Sequence, residues 1–143
     1  MKLIVSLLAV MALTSHAMAS QEEIHNWKAA TVVADTSLFG TVEVKATADS
    51  GGNVQTLSVT VKGTTITIPE KWLKTLPDLP LASIQVRSER GYDPTPWLYI
   101  YFESPSIPKV HTHIAIQNGK LARASITTVD ANGTQKHEDR NAP

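Results

Sequence analysis

TVEVKATADSGGNVQTLSVTVKGTTITI, residues 41–68, decides the fold class, because apolar and polar residues alternate through it with a period of two. Val42, Val44, Ala46 and Ala48 fall on one side of an extended chain, and Thr41, Glu43, Lys45 and Thr47 on the other. Ser50-Gly51-Gly52-Asn53 then supplies residues that tolerate positive φ. The alternation resumes with Leu57, Val59 and Val61 against Thr56, Ser58 and Thr60. Lys62-Gly63 makes a second tight connection into Thr64–Ile68, with Ile66 and Ile68 facing inward. The stretch is a three-stranded antiparallel meander with one apolar and one wet face.

Downstream, Pro69 to Leu76 breaks the pattern, placing Trp72, Leu73 and Leu76 on one face of a short helix near 69–76 that Pro77 and Pro80 end. Alternation returns in Ala82–Ser88, with Ile84 and Val86 inward. Glu89–Pro96 (ERGYDPTP) reads as a loop from its Gly, Asp-Pro and Pro content. Trp97–Phe102 (WLYIYF) is apolar on both sides, as a central strand is: Leu98, Ile100 and Phe102 share one face, Trp97, Tyr99 and Tyr101 the other. Val110–Gln117 and Lys120–Val129 flank Asn118-Gly119, a strong two-residue hairpin signal. An unbroken ladder from that turn pairs Ile116 with Leu121, Ile114 with Arg123 and His113 with Ala124. Residues 130–143 are polar, which predicts a frayed tail, and Asn132-Gly133-Thr134 reads as a turn more than as a glycan acceptor.

The sum is a mostly β domain bordering on α+β: about eight short antiparallel strands curling into a sandwich or barrel, with one helix that is either a layer or an ornament.

Upstream, Lys2, the apolar run Leu3–Leu13 and Ala17-Met18-Ala19 compose an export signal, which predicts cleavage after Ala19 and a single domain over 20–143. The run is too short to span a bilayer, which takes about 20 residues. Residues 20–28 are expected to be mobile apart from a docking point at Trp27. The expected destination is the periplasm or the exterior. Cysteine is absent, so an exported domain of this kind is held by its core alone. Thirteen Lys+Arg against thirteen Asp+Glu leave no basic excess to release counterions from phosphate, which disfavours nucleic-acid partners.

Signatures of catalysis are missing: the sequence has no Cys nucleophile, no Gly-x-Ser-x-Gly elbow, no phosphate-cradling Gly loop and no His-Glu-x-x-His helix. Three other features bear on chemistry. His111-Thr112-His113 puts two imidazoles on one face of a strand, where they could ligate Zn²⁺ or Cu²⁺ with a third ligand from His25, His137 or Glu103. The alternative is two amphipathic side chains on a partly wet face. Trp97, Tyr99 and Tyr101, extended by Tyr92, form an aromatic row that is either a core face beneath the helix, with Trp72 packed on it, or a binding surface. The loop over 88–96 presents Glu89, Arg90, Tyr92 and Asp93 as a charged and aromatic tip.

The function these features suggest is non-enzymatic recognition of a protein partner in the envelope, such as a secreted enzyme occluded by Arg90, Tyr92, Trp97, Tyr99 and Tyr101. Divalent-metal binding by His111 and His113 is the alternative. Self-association, or pairing of an unpaired edge strand with a neighbour in an envelope assembly, is a third route.

Overall fold

The computed structural model describes residues 21–25 (backbone alone), 28–92 and 94–143; the expected export signal with its expected cleavage site, Trp27 and Asp93 lie outside them. Ten strands occur among these residues. The first five are β1 (Gln21–His25), β2 (Ala29–Thr36), β3 (Gly40–Ala48), β4 (Val54–Val61) and β5 (Thr64–Ile68). A one-turn helix α1 (Glu70–Leu73) and a 3-10 turn (Leu81–Ser83) follow. The remainder are β6 (Gln85–Arg90), β7 (Pro96–Ser104), β8 (Lys109–Gln117), β9 (Lys120–Val129) and β10 (Gln135–Asn141). Each half of the chain forms one antiparallel meander, β1-β2-β3-β4-β5 and β6-β7-β8-β9-β10. Two antiparallel sheets packed face to face make a β-sandwich rather than a closed barrel. No helix among the described residues is long and apolar enough to cross a membrane.

The core lies between the sheets and follows the alternation. Val32, Val42, Val44 and Val59 from one sheet and Leu98, Ile100 and Ile114 from the other have no exposed surface. The helix is an ornament at one end, not a layer. Its Trp72 and Leu73 are buried, α1 lies against β4, and the indole Nε1 of Trp72 donates to the carbonyl of Asn141 at 2.9 Å. The connection then runs on through Val54 N to Leu79 O and Leu81 N to Gly52 O, both 2.9 Å, which carries the chain from the first sheet to the second.

Turn chemistry sets the hairpins as expected. Lys62 and Gly63, and likewise Asn118 and Gly119, all have positive φ, the signature of the type I′ turn that matches strand twist. Asp49 and Asp130 close two five-residue loops alike: Asp49 Oδ1 accepts from the amides of Gly51 and Asn53, and Asp130 Oδ1 from those of Asn132 and Thr134.

Three expectations are corrected. The sheets hold ten strands, not about eight, because Gln21–His25, expected to be mobile, is a strand paired with β2, and the 29–36 stretch is a strand although Val33 on its outer side blurs the alternation. The expected frayed tail carries β10, paired with β9 from Gln135↔Val129 to Asn141↔Arg123. Between Ala115 and Ile116 the β8–β9 ladder shifts by one residue: Ile116 still pairs with Leu121, but Arg123 faces Ala115 and Ala124 faces Ile114. Ala122 is the extra residue of a β-bulge. Without it, Arg123 would share a face with the buried Ile114. With it, Arg123 turns outward and Ala124 inward.

Candidate functional surface

Tyr101 pairs with His113, twelve residues on in sequence, and this one register brings the two features together. Leu98, Ile100 and Phe102 are buried, so Trp97, Tyr99 and Tyr101 project outward from β7 and are only partly buried. His111 and His113 project from β8 on the same side, opposite Glu103 and Tyr101. The aromatic row and the His-x-His pair are therefore one surface, the outward face of the second sheet. The row is not a core face beneath the helix, since Trp72 belongs to the inner core instead.

The rings contact each other and are bracketed by two arginines. Trp97 and Tyr99 stack with centroids 6.1 Å apart and planes 16° apart, and Tyr99 and Tyr101 are 6.0 Å apart. The His113 ring lies 3.9 Å from that of Tyr101 and 6.4 Å from that of Tyr99, edge-on. Arg87 from β6 covers Tyr101 at 4.6 Å and Arg123 from β9 covers Trp97 at 5.2 Å, distances at which a guanidinium is attracted to a ring face. Arg123 reaches this place only because of the bulge. Its Nε is shielded from solvent and has no acceptor among the described residues.

Electrostatically the middle of the surface is neutral. Burial pushes the His113 imidazole down to about 4, and the neighbouring charges of His111, Arg87 and His137 push the same way, so the ring is uncharged near neutrality. Burial raises both tyrosine phenols, the Glu89 carboxylate adds to this, and Arg123 (Tyr99) and Arg87 (Tyr101) oppose it. The Tyr101 hydroxyl donates to Glu89 Oε1 at 3.3 Å. Neutral, ring-rich ground with guanidinium and carboxylate groups at its rim is the composition of energetic centres in protein interfaces.

Toward β10 the face becomes polar. The Ser125 hydroxyl donates to Asp139 Oδ1 at 2.7 Å, His137 Nε2 lies 3.1 Å from the same oxygen, and His137 Nδ1 lies 3.2 Å from Thr127 Oγ1. The Ser125 hydrogen bond is the largest cause holding the Asp139 carboxyl below its usual range. Thr127, His137 and Asp139 stand in the order nucleophile, base and acid. They lie on an open strand face in competition with water, and their evident work is to tie β10 to β9.

The other expected site residues do not join this surface. Tyr92 is fully exposed at the tip of the β6–β7 hairpin, and Arg90, paired with Pro96, is exposed on the opposite side of β6 by alternation. The third metal ligand is not assembled either. His25 ends β1 in the opposite sheet, His137 is separated from His111 by the Thr127 strand, and Glu103 Oε1 is 3.6 Å from Lys109 Nζ. No group of three His, Cys, Asp or Glu side chains among the described residues is placed to hold a metal ion. Arg87 and Arg123 were missing from the sequence-based site: Arg87 was legible as an outward residue on the strand next to the aromatic row, whereas Arg123 depends on a bulge that leaves no sequence mark.

No family model, curated protein or solved structure matches the chain, so its function is argued from this surface.

Proposed function

We propose that the protein is an exported, non-enzymatic binding domain whose outward β6–β10 face recognises a protein partner in the envelope. One observation carries this: three large aromatics, a neutral histidine and two ring-stacked arginines converge on a water-facing sheet surface whose own core is already complete without them. The five strands lie about 4.8 Å apart and those of nine residues run about 30 Å, so the face covers on the order of 600 Å². That approaches the roughly 800 Å² each partner contributes to a stable complex. A protein fits better than a small molecule, because the surface is open and small ligands are held in concave sites. Tyr99 and Tyr101 would supply rigid contact area, and Arg87 and Arg123 would add hydrogen bonds to a partner's carboxylates or carbonyls.

The test is enrichment of partners from an envelope extract by the wild-type protein beside Tyr99→Ala and Arg123→Ala, with the melting temperature of each measured in parallel. The expected result is a discrete partner held by the wild type and lost at least tenfold in both variants, which still fold. Equal recovery by folded variants would contradict the proposal.

A further inference from the structure

Charges on the outward face of β6–β10 do not cancel pair by pair. The three carboxylates placed there are all engaged: Glu89 accepts from the Tyr101 hydroxyl, Glu103 lies 3.6 Å from Lys109 Nζ, and Asp139 accepts from Ser125 and lies beside His137. The guanidinium groups of Arg87 and Arg123 lie on rings, and neither has a carboxylate within ion-pair distance among the described residues. Arg87 is exposed to water and donates from Nη2 to Gln85 Oε1 at 3.1 Å. Arg123 is less well served. It is partly buried, its Nε is sealed from solvent, and no hydrogen bond or ion pair joins it to another described residue. Arg140, likewise only partly exposed, has its Nε on Glu138 Oε1 at 2.8 Å. A shielded N–H without an acceptor costs free energy, and a carboxylate is the acceptor that a guanidinium fork fits best.

The backbone holds Arg123 in this position. The bulge at Ala122 turns it outward. Its neighbour on β8 is Ala115, so only a methyl group lies under the side chain as it crosses toward Trp97 on β7, about 9.6 Å away at the strand spacing. Ala115 lies outside the inner core and is nevertheless wholly covered.

We propose that the partner places a carboxylate, from an Asp or Glu side chain, on Arg123 beside Trp97, and lays apolar side chains along Tyr99 and Tyr101. The inference rests on the protein-partner reading of this face and narrows it to a partner recognised through an acidic residue set among apolar ones. Charge favours a carboxylate over a carbonyl, since only an anion balances a cation that the sheet leaves unpaired, and exclusion of water on docking strengthens the pair. Lifting the guanidinium from the sheet to meet the carboxylate also frees Nε to donate. The rings stand 6.1 and 6.0 Å apart, close to the repeat of about 6.7 Å between alternate residues of an extended chain. An extended segment running along β7 thus sets one side chain over each ring, the acidic one at Trp97 and apolar ones two and four positions away.

Capture from an envelope extract tests this, with the extract used as it is and after its carboxylates have been converted to neutral amides by carbodiimide and ethanolamine. The wild type should lose its partner on amidation by on the order of tenfold or more. Arg123→Gln should start weak and change by under about threefold, because it lacks the cation that the amidated group would have met. Arg87→Gln should keep the wild type's sensitivity. Wild-type capture that survives amidation would overturn the carboxylate while leaving the binding surface standing. An equal loss in Arg123→Gln would overturn the assignment to Arg123. If the untreated extract yields no discrete partner, the protein-partner reading fails and this inference with it. Should Arg123→Gln melt abnormally, Arg123→Lys takes its place, and a loss on amidation as large as the wild type's would overturn the role of the guanidinium fork.

Discussion

On the outward face of β1–β5, Thr47 meets Thr56 and Thr60 meets Thr65, hydroxyl to hydroxyl, with Lys45 and Glu43 paired at 3.5 Å among them. On the outward face of β6–β10, Tyr101 meets His113 and Arg123 covers Trp97. The inner faces of the two sheets are alike, and both are antiparallel meanders with type I′ turns. The first sheet thus serves as an internal control. Threonine is what a water-facing strand needs, since it favours extended backbone and hydrogen-bonds across strands. Folding by itself does not require the second sheet to differ, and large aromatic rings left partly facing water are the pattern that the proposed binding role expects. The proposed function accounts for this difference between two halves that fold by the same rules.

The strongest way to break the comparison is to attack what the sheets share. Leu57→Ala in the first and Ile100→Ala in the second each remove a side chain with at most 1% of its surface exposed, and each should cost about 2–5 kcal/mol in chemical denaturation. A large loss in one sheet with tolerance in the other would mean the core is not shared. Next comes the outward pair. Tyr101→Ala loses contacts with His113, Tyr99 and Arg87 and should cost about 1–2 kcal/mol, whereas Thr60→Ala should cost under about 1 kcal/mol. Equal losses would erase the distinction between the faces.

The pH dependence sharpens the same contrast. His113 is held neutral in the fold, down to about 4, while an unfolded imidazole titrates near 6.5. Between these values the unfolded chain binds more protons, so stability is complete above about pH 6.5 and falls as the pH drops toward 4. With the ring half in contact with water, the loss should be on the order of 1–2 kcal/mol. His113→Gln should flatten this slope in melts taken across that range, and an unchanged slope would remove His113 from the account. The smallest effect belongs to the turns. Lys62 and Asn118 occupy equivalent left-handed positions, and asparagine tolerates that backbone better. Lys62→Asn should stabilise by about 0.5–1 kcal/mol and Asn118→Lys destabilise by a similar amount, read from the shift in denaturation midpoint.

How much of this was legible in the sequence depends on how local the determinant is. Alternation located β3, β4, β5, β6 and β7, and the Lys62-Gly63 and Asn118-Gly119 dipeptides located two hairpins. β10 escaped because an exposed edge strand needs no apolar residues: QKHEDRN has none. The Ala122 bulge escaped because a small residue beside an arginine carries no signal of its own, yet it decides where Arg123 points. The surface was half legible. Trp97, Tyr99 and Tyr101 could be placed on one side of a strand, and so could His111 and His113, but their union depends on the β7–β8 register, a nonlocal quantity fixed by which faces the core buries.

The central claim is that the outward face of β6–β10 meets a partner and the outward face of β1–β5 does not. It is tested most directly by photo-crosslinking in the protein's own cells, with a photoreactive side chain placed at Gln117 at the end of the aromatic face or at Ser58 in the middle of the threonine face. The account predicts a discrete adduct from position 117, diminished by Tyr99→Ala, and none from position 58. Adducts of equal strength from both positions, or from position 58 alone, would contradict it.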